Sequence, residues 1–98
     1  ETVTYAKSLK AGQFTLKWKK DTRATGYQVQ YSTSSKFAKK ATKTILMKNS
    51  RITKKTIQKL SGGKKYYVRV RAYKTMKING KKTNKYGAWS RRKAVTIN

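Results

Sequence analysis

The 98-residue chain contains no cysteine, histidine or proline, and its only acidic residues are Glu1 and Asp21. Without cysteine it has no disulfides, and the redox compartment stays open. Two carboxylates do not supply the ligand sets that zinc and transition metals need. Catalysis is disfavoured as well, because no histidine can activate a serine and a carboxylate pair would require Glu1 and Asp21 to meet. We therefore predict a protein that is not an enzyme and that binds no cofactor and no metal.

Positive charge is what the chain has in excess: 27 lysines and arginines give a net charge of +25. On a small body this charge costs stability through self-repulsion unless the surroundings screen it. A polyanionic partner is the simplest screen, whether a cell-wall polymer, an acidic polysaccharide, a membrane surface or a nucleic acid. The alternative is that the lysines serve solubility by blocking edge-to-edge association of strands.

The excess of lysine over arginine favours non-specific electrostatic attraction over specific recognition of nucleic-acid bases. Lysine outnumbers arginine 21 to 6, and lysine acts as a point charge where arginine reads phosphates and bases bidentately. The basic residues are spread along the chain, with no stripe and no nucleic-acid-binding signature. We predict no specific nucleic-acid partner.

No apolar run approaches the roughly 20 residues of a transmembrane span. The chain also lacks the apolar core of a signal peptide. Because it begins at Glu1 without a methionine, we expect residues 1–98 to be a single domain excised from a longer multidomain protein.

Short runs that alternate between apolar and polar residues indicate half-buried strands. Phe14, Leu16 and Trp18 share one face of such a run. Between the last two strands, residues 74–85 form a long connection around Asn79-Gly80, which favours a type I′ turn. Seven strands at this spacing predict an all-β, two-sheet antiparallel sandwich. The predicted strands cover residues 3–7, 14–19, 27–31, 44–48, 54–57, 66–73 and 94–97.

The order of these motifs resembles a fibronectin type III domain over essentially the whole chain. The resemblance rests on Leu16-Lys17-Trp18, on Gly26 to Tyr31, on Leu60 followed by Tyr66, and on Tyr86 to Ser90. It implies a seven-stranded, immunoglobulin-like β-sandwich and a Tyr66 hydroxyl bonded to backbone at a corner. We expect the domain to be a monomer. The chain departs from the family in having no proline and in lacking the integrin-binding Arg-Gly-Asp tripeptide.

Residues 31–37 and 66–73 are similar to lysine-rich members of this family in secreted multidomain proteins of Firmicutes. That likeness implies a secreted or cell-surface protein of a Gram-positive bacterium. Its role would be a non-catalytic spacer or adhesion module that attaches to an anionic polymer such as teichoic acid or acidic polysaccharide, or contacts neighbouring domains of the same chain. The alternative is a carbohydrate-binding module that targets an attached enzyme to its glycan.

One candidate binding surface is the outer face of the sixth predicted strand together with the adjacent third strand. Two tyrosines bracketing two guanidiniums could stack on a sugar or base and contact anionic groups, with glutamines supplying hydrogen bonds. The competing interpretation is that solvent-facing strand positions favour β-formers and long chains that cover apolar surface. The residues are Tyr67, Arg69, Arg71, Tyr73, Gln28 and Gln30.

The second candidate surface is the connection at 74–85, where Lys77, Asn79, Lys81 and Lys82 suit a phosphate-rich polymer. A solvated hairpin tip explains the same residues equally well. Trp89 is the last candidate. It is either a sugar-stacking platform near the start of the final strand or part of the packing at a corner.

Overall fold

Eight antiparallel strands form two facing sheets in the computed structural model, which describes residues 1–98. The strands are β1 Val3–Lys7, β2 Phe14–Trp18, β3 Gly26–Ser32, β4 Thr42–Met47, β5 Lys54–Ile57, β6 Lys65–Ile78, β7 Lys81–Tyr86 and β8 Lys93–Thr96. A three-stranded sheet has the order β1-β2-β5, and a five-stranded sheet has the order β4-β3-β6-β7, with β8 also paired to β6. The only helical element is one 3-10 turn at Lys39–Ala41, so no helix is long and apolar enough to cross a bilayer.

Alternating apolar side chains from both sheets meet in one core, as the sequence pattern predicts. Phe14, Leu16 and Trp18 of β2 are buried against Tyr27 and Val29 of β3. The Trp18 and Tyr27 rings pack edge to face with centroids 5.4 Å apart, a geometry worth about 0.5–1.5 kcal/mol beyond the area that it buries. The predicted two-sheet antiparallel sandwich is confirmed.

The hydroxyl that ties the core to the backbone belongs to Tyr27. It accepts the Asp21 N–H at 2.8 Å and donates to the Ser50 carbonyl at 2.8 Å. The resemblance placed such a bond on Tyr66, whose ring instead stacks on Phe14 with centroids 6.3 Å apart. Tyr27 thereby holds the loops before β3 and after β4 against the same end of the sandwich.

The predicted connection at 74–85 is a β-hairpin, and this adds the eighth strand. β6 continues to Ile78, and β7 pairs with it from Tyr73↔Tyr86 to Ile78↔Lys81. Asn79 and Gly80 have φ values of 51° and 80°, which are the two positive values of the predicted type I′ turn. The turn was predicted, but β7 as a strand was missed because every residue of β7 is exposed, so no apolar alternation marks it.

Two tyrosines, Tyr27 in the core and Tyr31 partly buried against it, make the free energy of unfolding sensitive to alkaline pH. Burial raises the pKa of the Tyr27 and Tyr31 hydroxyls above the ordinary value, because the charged phenolate is poorly solvated in the core. The folded chain therefore keeps both groups neutral at a pH where the unfolded chain begins to ionise them, near pH 10. Their contribution to stability is complete below that pH and is lost as the pH rises through the folded-state pKa.

We therefore expect Tyr31→Phe to lose less stability than the parent chain between pH 8 and pH 11. Urea denaturation at both pH values measures the difference, and comparing the two proteins cancels the relief of lysine repulsion over the same range. An equal loss of unfolding free energy in the parent and the variant would contradict the raised pKa of Tyr31.

Candidate functional site

Residues 87–92 interrupt the edge of the five-stranded sheet and carry Trp89 onto its outer face. The Gly87 N–H donates to the Ala72 carbonyl and the Ser90 N–H to the Val70 carbonyl, each at 2.8 Å. The Ser90 hydroxyl accepts the Val70 N–H at 3.0 Å, so a side chain replaces a backbone acceptor. The segment stays attached to β6 while Trp89 turns across that strand.

Five side chains form an alternating stack of rings and guanidiniums, here called the ladder: Phe37, Arg69, Trp89, Arg71 and Tyr86. The guanidinium carbon of Arg69 lies 4.0 Å from the centroid of Phe37 and 4.3 Å from that of Trp89. The guanidinium carbon of Arg71 lies 4.2 Å from Trp89 and 4.0 Å from Tyr86. Each contact is worth about 0.5–1 kcal/mol at an exposed site, so the ladder contributes to folding.

Two glutamines of β3 hold the guanidiniums in place. Gln28 lies opposite Arg71 and Gln30 opposite Arg69 in the sheet. Gln30 Oε1 accepts from Nε and Nη2 of Arg69 at 2.9 and 2.7 Å. Gln28 Oε1 accepts from Nε of Arg71 at 2.7 Å. Burial, followed by the charge of Arg71, lowers the pKa of Arg69 from its ordinary value.

The structure thus brings together five residues of the predicted site: Arg69, Arg71, Gln28, Gln30 and Trp89. It does so by stacking and bonding them to one another. Because two guanidiniums lie against the Trp89 ring, its stacking surface is used within the chain. A sugar would have to displace a guanidinium to stack there.

Tyr73 is on the predicted face of β6 but is buried, and its expected exposure is wrong. The residue is only 4% exposed, and its ring packs beside Tyr86 with centroids 6.1 Å apart. The cause is Gly26, its partner on β3, which has no side chain to keep the ring away.

Tyr67 lies apart from the ladder. Its half-buried ring faces Lys65 Nζ at 5.6 Å and the Arg92 guanidinium carbon at 5.7 Å. Of the two tyrosines predicted on this outer face, Tyr67 alone remains partly exposed.

The predicted cationic residues of the hairpin are exposed. Lys77 and Lys82 are directly opposite each other, and Lys81 pairs with Ile78 beside the turn. Asn79 occupies the turn itself. The positive φ of this position favours asparagine, so its presence there needs no binding role to explain it. Met76 and Ile78 are each 42% exposed on the hairpin, so they do not pin it to the core.

Sequence reasoning missed Phe37 and Tyr86 as partners of the arginines. Tyr86 was visible only as part of the approach to the last strand, and its place follows from the unpredicted pairing with Tyr73. Phe37 reaches the ladder from a loop and has a φ of 55°, a conformation that nothing in the local sequence indicates. Only tertiary structure places these two rings.

We predict that Arg71→Lys costs about 1–2 kcal/mol of unfolding free energy, although it keeps the charge. The planar stack on two rings and the bond to Gln28 are lost, and an ammonium replaces neither fully. Arg91→Lys, at an exposed position outside the ladder, is the control and should change stability by less than about 0.5 kcal/mol. Urea denaturation compares the two; equal effects would show that the stack adds nothing to stability.

We also predict that Gly26→Ala costs about 2 kcal/mol or more, whereas Gly87→Ala is tolerated. A Cβ at Gly26 would collide with the Met47 carbonyl oxygen and lie 2.9 Å from Tyr73 ring atoms, whereas one at Gly87 would meet the Ala72 oxygen at 3.6 Å. Thermal unfolding of the two variants checks this, and similar melting temperatures would mean that the Gly26 site relaxes freely.

Comparisons with known proteins agree with this architecture. No curated protein sequence matches the chain. The crystal structure of chicken CNTN1 FN1-FN3 domains aligns with a TM-score of 0.75 at 19% identity, covering 99% of this chain and 30% of that chain. The solution structure of the fn3 domain of human contactin 1 aligns with a TM-score of 0.64 at 14% identity, covering 100% of this chain and 79% of that chain.

The fn3 domain of the human collagen alpha-1(XX) chain aligns with a TM-score of 0.60 at 18% identity, covering 89% of this chain and 79% of that chain. Identities this low show a shared fold and nothing finer. The sequence profile named Fibronectin type III domain matches residues 2–86, which confirms the resemblance seen in the motifs. The chain therefore belongs to the fibronectin type III domain family, whose members are generally non-catalytic modules often used for adhesion or spacing.

Proposed function

We propose that this domain is a non-catalytic spacer and adhesion module whose surface attaches electrostatically to an anionic polymer. The observation that carries the proposal is the placing of lysines directly opposite lysines. Three cross-strand pairs of this kind occur: Lys17↔Lys54, Lys74↔Lys85 and Lys77↔Lys82. Like charges directly opposite each other destabilise a sheet, so folding alone does not favour them.

The chain has no internal means of neutralising these pairs. Its carboxylates are at Glu1 and Asp21, where they accept the backbone N–H groups of Thr2 and Arg23 at 3.0 Å. Two unit charges 4 Å apart repel by about 1 kcal/mol even in bulk water. An external anion between two ammonium groups would convert this repulsion into attraction.

The hairpin is the part of the surface best suited to such an anion. It carries Lys74, Lys77, Lys81, Lys82 and Lys85 without any acid. Side chains alternate along a strand, so the Lys77–Lys82 pair lies on the face that bears the ladder and the Lys74–Lys85 pair on the other. A polymer could contact either face along the length of the hairpin.

The setting that we propose is the surface of a Gram-positive bacterium, with the domain secreted as a monomeric part of a longer multidomain chain. Teichoic acid or an acidic polysaccharide would be the polymer, and neighbouring domains of the same chain would be the other contacts. The lysine excess supports this, because point-charge attraction needs no defined geometry in the polymer. The likeness of residues 31–37 and 66–73 to lysine-rich bacterial members supports the location.

The carbohydrate-binding alternative is weaker in physical terms. A glycan-specific site needs open aromatic faces, yet the Trp89 ring is stacked by two guanidiniums and Tyr73 is buried. Among the proposed platforms, Tyr67 alone remains partly exposed without a guanidinium stacked on it as closely as on Trp89. Glycan binding that survives high salt and is lost with Tyr67→Ala would revive that alternative.

We expect the purified domain to be retained on Gram-positive cell walls at low salt and to be released by about 0.5 M salt, through screening and counterion release. Walls stripped of teichoic acid should retain little. Retention that ignores both salt and teichoic acid would overturn the electrostatic proposal.

The hairpin should contribute more than its share of this binding. A variant with Lys74, Lys77, Lys82 and Lys85 changed to glutamine should bind more weakly and with a shallower salt dependence than a control of equal charge. The control changes four exposed lysines elsewhere: Lys10, Lys39, Lys43 and Lys48. Equal losses in the two variants would mean that total charge decides the binding and the hairpin has no special part.

A further inference from the structure

A surface cavity of about 330 Å³ lies beside the end of the ladder. Three of its lining residues are cations from three separate parts of the chain, and no carboxylate is among the rest. The lining residues are Ser35, Lys36, Phe37, Arg69, Ser90 and Arg92.

Both guanidiniums at this cavity are held in place by other groups. Arg69 is fixed by two bonds to Gln30 Oε1 and by the ring of Phe37. Arg92 donates from Nη1 to the Ser35 carbonyl at 3.0 Å. Each still has N–H groups that make no hydrogen bond within the chain, since arginine carries five. These donors are presented without the loss of side-chain freedom that mobile lysines would incur.

The backbone conformation of Phe37 is a second indication that the fold preorganises this cavity. Its φ of 55° is unfavourable for a bulky residue, and such conformations persist only where the surroundings enforce them. In this conformation its ring covers one face of Arg69. Because the ring blocks this face of the guanidinium, an anion would approach its edge, where the N–H groups are.

We propose that this cavity binds one tetrahedral oxyanion, a phosphate or sulfate group. Fixed guanidiniums match the oxygen spacing of such groups bidentately, and Lys36 adds a mobile ammonium beside them. This inference deepens the proposed function and rests on it: the lysines hold the polymer loosely, and this cavity grips one of its charged groups.

The binding of small anions tests the cavity separately from polymer attachment. Sodium phosphate and sodium sulfate, titrated in parallel at constant ionic strength against the ¹⁵N-labelled domain, should shift the Arg69 and Arg92 side-chain Nε–H signals in a saturable manner. Which salt saturates first tells whether phosphate or sulfate is the better ligand. Shifts that are linear and shared by all arginines would overturn the proposal, because they indicate diffuse screening.

A pair of variants matched in charge and position completes the test. Arg92→Gln with Lys36→Gln should weaken saturable anion binding at least about fivefold, as expected for the loss of two exposed charge contacts. Arg91→Gln with Lys39→Gln removes the same charge from neighbouring exposed positions and should change it less than twofold. Both pairs lie outside the ladder, and circular dichroism confirms that each variant is folded.

The outcomes separate this proposal from the one on which it rests. If both double variants lose anion binding equally, the cavity is not a site, although retention on cell walls can still stand. If the cavity binds phosphate or sulfate but walls do not retain the parent chain, the cavity is confirmed and the adhesion proposal fails.

Discussion

Positive charge that the chain cannot neutralise is the constraint on which the rest of the structure depends. Twenty-seven cations face two carboxylates, and both carboxylates accept backbone N–H groups. Ion pairing is therefore closed to nearly every lysine and arginine. All the lysines except the half-buried Lys55 remain exposed, on the strands, in the loops and in the hairpin. The arginines nearest the sheet instead find partners that carry no net charge, namely aromatic rings and amide oxygens.

The ladder shows how this substitution works. A guanidinium needs an electron-rich partner when it is partly buried, and Gln30 Oε1 supplies one at 2.7 Å from Nη2 of Arg69. The ring faces of Phe37, Trp89 and Tyr86 supply the rest at 4.0–4.3 Å. Because these partners are neutral, the arginines keep their full charge as seen from solvent. The ladder thus covers the outer face of the sheet while leaving the two positive charges of its arginines in place.

The local alternation of apolar and polar residues was sufficient to predict the core but not the candidate site. Phe14, Leu16 and Trp18 reveal their common face by alternation alone, and two successive positive φ values at Asn79-Gly80 follow from residue type. Tyr73 obeys the alternation but not the exposure that it implied, since Gly26 on another strand decides how the ring packs. Contacts that join distant segments, such as Phe37 with Arg69, have no signature in a single sequence.

Lysine and arginine consequently divide the work of the surface. The exposed lysines form opposed pairs at Lys74–Lys85 and Lys77–Lys82, whose ammonium groups would attract a polyanion less strongly as salt is added. The two arginines of the ladder are held in place, and most of their stacking surface is already used. Where a fixed guanidinium still presents free N–H groups beside a cavity, as Arg69 does next to Arg92, geometry can add selectivity to an attraction that charge alone leaves unselective. If the surface meets a polyanion as proposed, lysine would supply the attraction and arginine the discrimination.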